Sequence, residues 1–446
     1  MNNAARICPE PRATGAIWDP ALDRAWKSHA VRLAGQLVRH GVLTDGAWRD
    51  AVLDVPRHHY TPSYYTATPP GPGSTGWHHH HRPDAGPDAP AGHAWLRHVY
   101  AQVPLVVALS GINIWGRQYP VAVSPHPATT MRLLHTLDIR ATDRVLELGT
   151  GSAHTTALLA RRVGAEQLTS VEIDHEVHHL AARQLDQLGH HPHLILADDM
   201  VLDTTPLHPT EVASRGFDRV LVGHTVDHLP AAWLHHTHPG SLVLTTLTGG
   251  LGIGHPALLH HTPGGRLTGP FLPWPTDDLP ARRHHARLTA VRRPATPAAT
   301  RPRHRSTPVD PTTLHANTPL ALLHQLHLPG GTTAAVRTDA HGRAATYLHA
   351  PDSSWAEIAH QPDRRGHHDA RVAGPTNLLD ALTEARDTHH DLHRPGWTDL
   401  GLTTATRSAP GVAPPRATST VVWCHDADTG PRWPVHPAPV RLGPTS

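Results

Sequence analysis

Hydrophobic and polar positions follow two different periods along this chain. Between residues 21 and 60 the period is helical. Trp26, Val31, Leu33, Ala34, Leu37 and Val38 recur on that spacing, and Gly41 ends the run. Asp45 stands where a cap is needed for a shorter helix through Val52 and Leu53, and the segment closes on Val55-Pro-Arg-His-His-Tyr60 with Pro62 next. Over 66–92 the periodicity gives way to Pro, Gly and His, which predicts a mobile loop. Short apolar runs follow, Tyr100-Ala-Gln-Val103 and Val106-Val-Ala-Leu109, and read as strands; helical spacing returns over 128–137. The next hundred residues alternate. Strands are predicted at 144–148, 168–172, 193–197, 217–222 and 241–247, with helices at 154–163, 175–188 and 230–236 between them. That alternation predicts an α/β fold, a mostly parallel sheet with helices on both faces.

The rest of the chain sets expected boundaries. Residues 1–127 read as a helical and loop region preceding a Rossmann-like core at 128–280. An Arg/His/Pro-rich linker follows at 281–314. A small α+β domain occupies 315–435, with a helix near 377–388 and tryptophans at Trp355, Trp397 and Trp423, and residues 436–446 form a tail.

The most specific motif is Val145-Leu-Glu-Leu-Gly-Thr-Gly-Ser152, a buried strand running into a glycine turn and then a helix. A second apolar run ends in Ser170-Val-Glu-Ile-Asp174. A dinucleotide fingerprint needs a third glycine at position 154, which is His154, and no G-K-[ST] follows the turn, so neither a pyrophosphate nor a P-loop phosphate suits it. Gly149 and Gly151 allow close backbone approach. Glu147 places negative charge beside the turn, which repels a pyrophosphate and attracts a sulfonium or ammonium. Glu172 stands where a carboxylate can take both hydroxyls of a ribose. Cation, ribose and adenine together describe S-adenosylmethionine (AdoMet). The expected cofactor contacts are therefore Glu147, Gly149, Thr150, Gly151, Ser152 and Glu172.

Composition narrows the picture in a few places. The chain of 446 residues carries 44 His, 45 Pro, 2 Phe and a single lysine, Lys27. A net charge of +2 implies no polyanionic partner, so nucleic acid is not expected. Cys8 and Cys424 are too few for a disulfide framework or a zinc–cysteine site. The run His78-His-His-His81 lacks an acid or cysteine at ligand spacing, so no metal is expected there. The N-terminus shows no basic–apolar–small signal pattern, and the apolar run Val103–Leu109 is too short for a bilayer; a soluble cytoplasmic protein is expected.

Taken together these motifs resemble the protein-L-isoaspartate O-methyltransferases over residues 25–250. Val55-Pro-Arg57 with Tyr60 and Pro62 is similar to that family's Val-Pro-Arg…Phe-Val-Pro. Val145 to Leu159, with Ala-Leu-Leu at 157–159, resembles its first AdoMet motif, and Val171-Glu172 its ribose-binding acid. Ala197-Asp198-Asp199 lies where the family has Gly-Asp-Gly, which implies that Asp198 faces the adenine. Phe217-Asp-Arg-Val, Leu229-Pro230 and Pro239-Gly240 follow its later elements. There are two departures. The family's Gln-Thr-Ile-Ser-Ala-Pro loop corresponds to Ala122-Val-Ser-Pro-His-Pro127, which puts Pro125 at the serine position and Ser124 one residue early. Ala153 stands where the family usually has glycine.

The resemblance implies AdoMet-dependent methylation of an Asp or isoAsp carboxylate in a peptide or protein. Such an acceptor is already ionised at neutral pH, so alignment matters more than a base. Ser124 and His126 are the expected side-chain contacts to it. The C-terminal pattern Gly374-Pro…Leu379, His393-Arg-Pro-Gly-Trp-Thr-Asp-Leu-Gly-Leu402, Trp423 and Trp433-Pro434 resembles extended actinobacterial relatives. Those relatives methylate aspartate in ribosomal precursor peptides, after which the ester closes to a succinimide. General protein repair, or a non-catalytic AdoMet-fold component that binds a peptide, are the alternatives.

Overall fold

The computed structural model describes residues 6–7, 20–68, 76–83, 90–111, 118–204, 216–276, 279–280, 302–406 and 418–436. Much of the expected linker, at 281–301, and the tail from 437 lie outside the described residues. The chain divides into two units. One holds Met1–His224, His235–Leu244 and Asp277–Leu279, and the other holds Thr225–Leu234, Thr245–Thr276 and Pro280–Ser446.

The first unit opens with β1 (Arg6–Ile7), α1 (Pro20–Arg39) and α2 (Gly46–Asp54). Trp26, Leu33, Ala34 and Leu37 of α1 are buried as the helical period requires, while Val31 and Val38, expected with them, are exposed. The Asp45 side chain accepts the Trp48 N–H and caps α2, and Arg162 closes on it with donors at 3.2 and 3.3 Å. Then come β2 (Ser63–Ala67), β3 (Trp77–His81), α3 (Pro90–Val99), β4 (Leu105–Leu109) and β5 (Pro120–Ser124). They form a small sheet in the order β1-β4-β2-β3, with β5 on β4.

Two expectations are corrected here. The four histidines are not in a loop: they form β3, antiparallel to β2, with His80 stacked on Tyr64 and His79 on Tyr65 at 4.8 and 4.5 Å. The ring faces of the β2 tyrosines supply the packing that gives this polar run a strand's partner. Tyr100–Val103 is not a strand but the turn leaving α3, because its carbonyls are claimed by a buried arginine described below.

The core of this unit is the alternating block. After α4 (Pro127–Thr136) come β6 (Val145–Leu148), α5 (His154–Val163), β7 (Leu168–Glu172), α6 (His175–Gln187), β8 (His193–Leu196), β9 (Phe217–Val226), α7 (Ala231–His235) and β10 (Thr237–Leu247), of which Thr225–Leu234 and the end of β10 from Thr245 are grouped with the second unit. Strand order is β10-β9-β6-β7-β8, and β6 pairs parallel with both β7 and β9, as β7 does with β8. This is the Rossmann-like α/β fold expected from the alternation. All four residues of β6 and all five of β7 are buried, as central strands covered on both faces must be.

In the second unit, β11 (His255–His261) and β12 (Arg266–Pro270) form a hairpin; β13 (Leu279–Pro280), whose two residues fall on either side of the division, follows in sequence. A separate five-stranded antiparallel sheet, with order β14-β18-β17-β16-β15, comprises β14 (Arg303–Thr307), β15 (Thr333–Thr338), β16 (Ala344–His349), β17 (Trp355–Pro362) and β18 (His368–Ala373). The helices α8 (Pro319–His327) and α9 (Leu378–Asp391) lie between and after these strands in sequence. Leu348, Ile358, Leu378 and Leu382 belong to one buried cluster there. Finally β19 (Leu400–Thr406), β20 (Thr418–Cys424) and β21 (Arg432–Pro434) run in the order β21-β20-β19-β12-β11. The pairing of β12 with β19 explains why 245–276 group with the C-terminal residues rather than with the core expected at 128–280. β14 likewise falls inside the stretch expected as a linker.

Candidate functional site

The glycine turn sits at the carboxyl end of β6, where open parallel sheets place their ligands. Gly149 and Gly151 have φ of +98° and +55°, a region costly for any residue with a Cβ. Gly149 and Thr150 donate their N–H groups to Val171 O at 2.8 and 3.2 Å, tying the turn to β7. Ala153 completes it at φ +61° as the N-cap of α5, so a residue with a Cβ occupies the left-handed position where the resembled family usually has glycine.

Beneath the turn, Glu147 is buried at 2% exposure. Its Oε2 accepts the hydroxyls of Thr156 at 2.6 Å and Ser170 at 2.7 Å, and Ser170 also pairs with Thr150 Oγ1 at 2.7 Å. Burial pushes the Glu147 carboxyl up to about 7; the two hydroxyls oppose the rise and the Glu172 charge adds to it. Glu172, at the tip of β7, accepts Gly151 N–H at 3.0 Å through Oε2 and Asp174 N–H at 3.0 Å through Oε1. Two acids therefore flank one turn from neighbouring strands. The Thr150 side chain is directed into the Glu147 cluster, which leaves its backbone as the part at the turn. Ser152 is buried, and its Oγ accepts His154 N–H at 3.4 Å. Asp198 follows β8, and its Oδ1 accepts Met200 N–H at 3.0 Å.

The expected acceptor contacts stand at and just beyond the end of β5, whose Val123 carbonyl oxygen would stand 3.5 Å from a Cβ on Gly151. Ser124 is fully buried, with its hydroxyl accepting from Arg57 Nε at 3.2 Å. Arg57, 1% exposed, also donates to the carbonyls of Val99, Ala101, Val103, Ser124 and Pro125 at 2.9–3.4 Å. Burial lowers its pKa to about 10, so it stays charged at neutral pH, solvated by backbone dipoles in place of water. It thereby ties the α3–β4 turn to the end of β5. The Ser124 hydroxyl, expected at the methyl acceptor, has the Arg57 guanidinium as its partner in this structure. His126 caps α4, its Nδ1 accepting Ala128 N–H at 3.2 Å. The structure thus brings Glu147, Gly149, Thr150, Gly151, Ser152 and Glu172 together at one turn, and gives Ser124 and His126 local structural partners.

Sequence reasoning missed one pair. His224 Nε2 lies 2.9 Å from Asp199 Oδ2, and a Cβ built on Gly149 would stand 3.4 Å from His224 Cδ2. The available signal was a polar residue just beyond an apolar strand run and a doubled acid after β8. Among the described residues no cluster of three or more His, Cys, Asp or Glu is placed to hold a metal, and no helix is long and apolar enough to cross a membrane.

Comparison with known proteins gives one family. Residues 95–248, about a third of the chain, match the family described as protein-L-isoaspartate(D-aspartate) O-methyltransferase. The protein-L-isoaspartate O-methyltransferase 1 of Archaeoglobus fulgidus is 31% identical over 118 residues, which are 26% of this chain and 50% of that one; the chain thus spans half the length of this curated relative. Among solved structures, a protein-L-isoaspartate O-methyltransferase superposes with a TM-score of 0.44 at 17% identity, covering 84% of this chain and 96% of the other. A β-aspartate methyltransferase from Plasmodium falciparum in complex with S-adenosyl-L-homocysteine gives 0.39 at 13%, covering 58% and 98%.

Proposed function

We propose that this chain, which through residues 95–248 belongs to the protein-L-isoaspartate O-methyltransferase family, methylates an aspartyl or isoaspartyl carboxylate of a peptide or protein with AdoMet. The observation that supports this reading most is the pair of acids at the glycine turn. Burial pushes Glu147 up to about 7 and the Glu172 charge adds a smaller share, so a cation placed there would favour the ionised form of both. The donor set fits AdoMet in other respects. Glu172 stands at the tip of β7 with its carboxylate against Gly151 of the turn, where it would take the ribose hydroxyls. Asp198 would stand at the adenine side. The backbone from Gly149 to Ser152 would run along the cofactor, with no lysine or arginine called for by a phosphate. When bound, AdoMet supplies an electrophilic methyl group on a sulfonium.

The chain's own task is then placement. The acceptor carboxylate is ionised at neutral pH and needs alignment and exclusion of water. Arg57 contributes by fixing the β5–α4 loop through Ser124 and Pro125, and His126 by starting α4 at a set position. Within this reading the substrate is a dedicated ribosomal precursor peptide. Pro125 departs from the family's serine loop, and the chain carries a large second unit beyond the matched segment.

Two measurements test this. Incubation with AdoMet and aspartyl or isoaspartyl peptides should give a one-methyl mass gain followed by methanol loss. Glu172→Ala removes two charge-assisted hydrogen bonds to a ribose, worth roughly 1.5–3 kcal/mol each, so calorimetry should show AdoMet affinity at least about tenfold weaker. An unchanged affinity would refute the assignment of Glu172.

A further inference from the structure

The charges around the glycine turn fall on two sides. Glu147 and Glu172, on β6 and β7, make one side negative. On the other side stand the end of β5, the start of α4 and the start of α5, and neither helix has an acid in its first turn. Val123 of β5 meets the turn through its carbonyl oxygen, at the 3.5 Å given above for a Cβ on Gly151. Arg57, Pro127, Thr130 and His154 line one cavity there, so a buried guanidinium and the first residues of both helices share a border. This side carries positive charge without a counter-ion. The donors of Arg57 go to five carbonyls and one hydroxyl, all neutral, and no carboxylate pairs with it among the described residues. A buried charge ordinarily has a partner of opposite sign. The N-termini of α4 and α5 add partial positive charge, and the Ala153 N-cap has no side chain to cap α5.

Two side chains there are short of partners. Tyr60 is 1% exposed, its hydroxyl is buried without a hydrogen bond among the described residues, and its ring lies 6.0 Å from that of His154. A buried hydroxyl without a partner destabilises a fold, so its retention calls for an occupant beside it. His154, the first residue of α5, is mostly enclosed, and its ring nitrogens make no hydrogen bond among the described residues. Burial, with the Arg57 charge adding to it, pushes the His154 pKa down to about 3, so the ring is neutral and offers one N–H.

We infer that the acceptor carboxylate binds on this side of the turn, with the Tyr60 hydroxyl and the His154 N–H donating to it and the buried charge of Arg57 drawing it in. The inference rests on the carboxyl-methylation reading, which it deepens by naming side chains that touch the acceptor. The division of charge suits that reaction. The acids of β6 and β7 face the cation, and the uncompensated guanidinium faces the anion. Both donors are neutral, so they orient the carboxylate without giving it a proton, and alignment is what methyl transfer needs. Arg57 acts through its field and is a positioning residue. AdoMet carries a carboxylate of its own at its methionine end, and the test separates the two sources.

Tyr60→Phe is the leading variant, because it removes a hydroxyl that has no partner in the fold. Urea denaturation of the full-length protein should show it at least as stable as wild type. With synthetic aspartyl and isoaspartyl hexapeptides as probes, its kcat/KM should fall roughly ten- to a hundredfold, the scale of one hydrogen bond to a charged group. His154→Phe should fall by a similar factor, and His154→Gln, which keeps an N–H donor, should recover part of it. Binding to the S-adenosyl-L-homocysteine complex gives a second readout. Wild type should prefer the free-acid peptide to its methyl ester, and Tyr60→Phe should lose most of that preference. Calorimetry with S-adenosyl-L-homocysteine, and with methylthioadenosine, which lacks the amino-acid end, should give wild-type affinities in both phenylalanine variants. A loss for S-adenosyl-L-homocysteine alone would assign the donors to the cofactor's own carboxylate and overturn the inference. Unchanged kcat/KM in both variants would overturn it while leaving methyl transfer standing. A wild type that methylates neither peptide loses the methyl-transfer reading, and this inference with it.

Discussion

Glu147→Gln offers a stability measurement whose sign is set by the site. Its carboxyl has an ordinary value of 4.5 and is pushed up to about 7 by burial. Such a displacement corresponds to roughly 3 kcal/mol, an order of magnitude for a group this deeply buried. Below pH 4.5 the carboxyl is protonated in both folded and unfolded chains and contributes no pH dependence. Between 4.5 and about 7 the folded chain holds a proton that the unfolded chain has released, so stability falls as pH rises. Above about 7 both are ionised and the loss is constant. Gln keeps an oxygen for the hydroxyls of Thr156 and Ser170, which both donate to the same carboxylate oxygen, yet it never ionises. Urea denaturation of wild type and Glu147→Gln from pH 4 to 8 should therefore show the variant gaining on wild type, by roughly 3 kcal/mol at the upper end. AdoMet binding near pH 6.5 should release a proton from wild type and less from the variant, visible as a buffer-dependent heat in calorimetry. A stability difference that stays flat over the whole range would refute the reasoning, because Glu147 would then be ionised throughout.

Ala153→Gly should stabilise the chain by about 1 kcal/mol in the same denaturation assay, since φ +61° costs alanine strain that glycine escapes. Arg57→Met leaves the carbonyls of Val99, Ala101 and Val103 without their donor inside the protein, and should cost about 3 kcal/mol or more, read as a lower urea midpoint. Replacing His78–His81 with serine removes the stacking on Tyr64 and Tyr65; the expected result is a stability loss of about 1–3 kcal/mol with AdoMet affinity unchanged and no response to added zinc.

What the sequence revealed and what it hid divide along a physical line. The helix at 154–163 and the strand at 168–172 have the expected bounds, because each is specified by its own residues. A helical period with Gly164 behind it decides the first, and a buried apolar run ending in an acid decides the second. The turn residues Gly149 and Gly151 were legible for the same reason: their conformation is a local demand. Where the reading departs from the structure, a distant partner decides. Tyr100–Val103 has strand-like residues, but Arg57, more than forty positions earlier, claims its carbonyls. The histidine run looks like a loop until the β2 tyrosines supply faces for it. The partner of Ser124 was equally hidden, since Arg57 lies 67 positions earlier.

The same distinction bears on the chemistry. Glu147 was legible as a negative charge at the turn, but its value near neutrality depends on burial and on Glu172 in another strand, neither of which its neighbours in sequence announce. Asp199 and His224 are an acid after one strand and a histidine beyond another until the fold brings them to 2.9 Å. In a parallel sheet every strand delivers its carboxyl end to one edge, so residues far apart in sequence converge there. That convergence puts the two acids of the glycine turn and the His224–Asp199 pair at one strand edge.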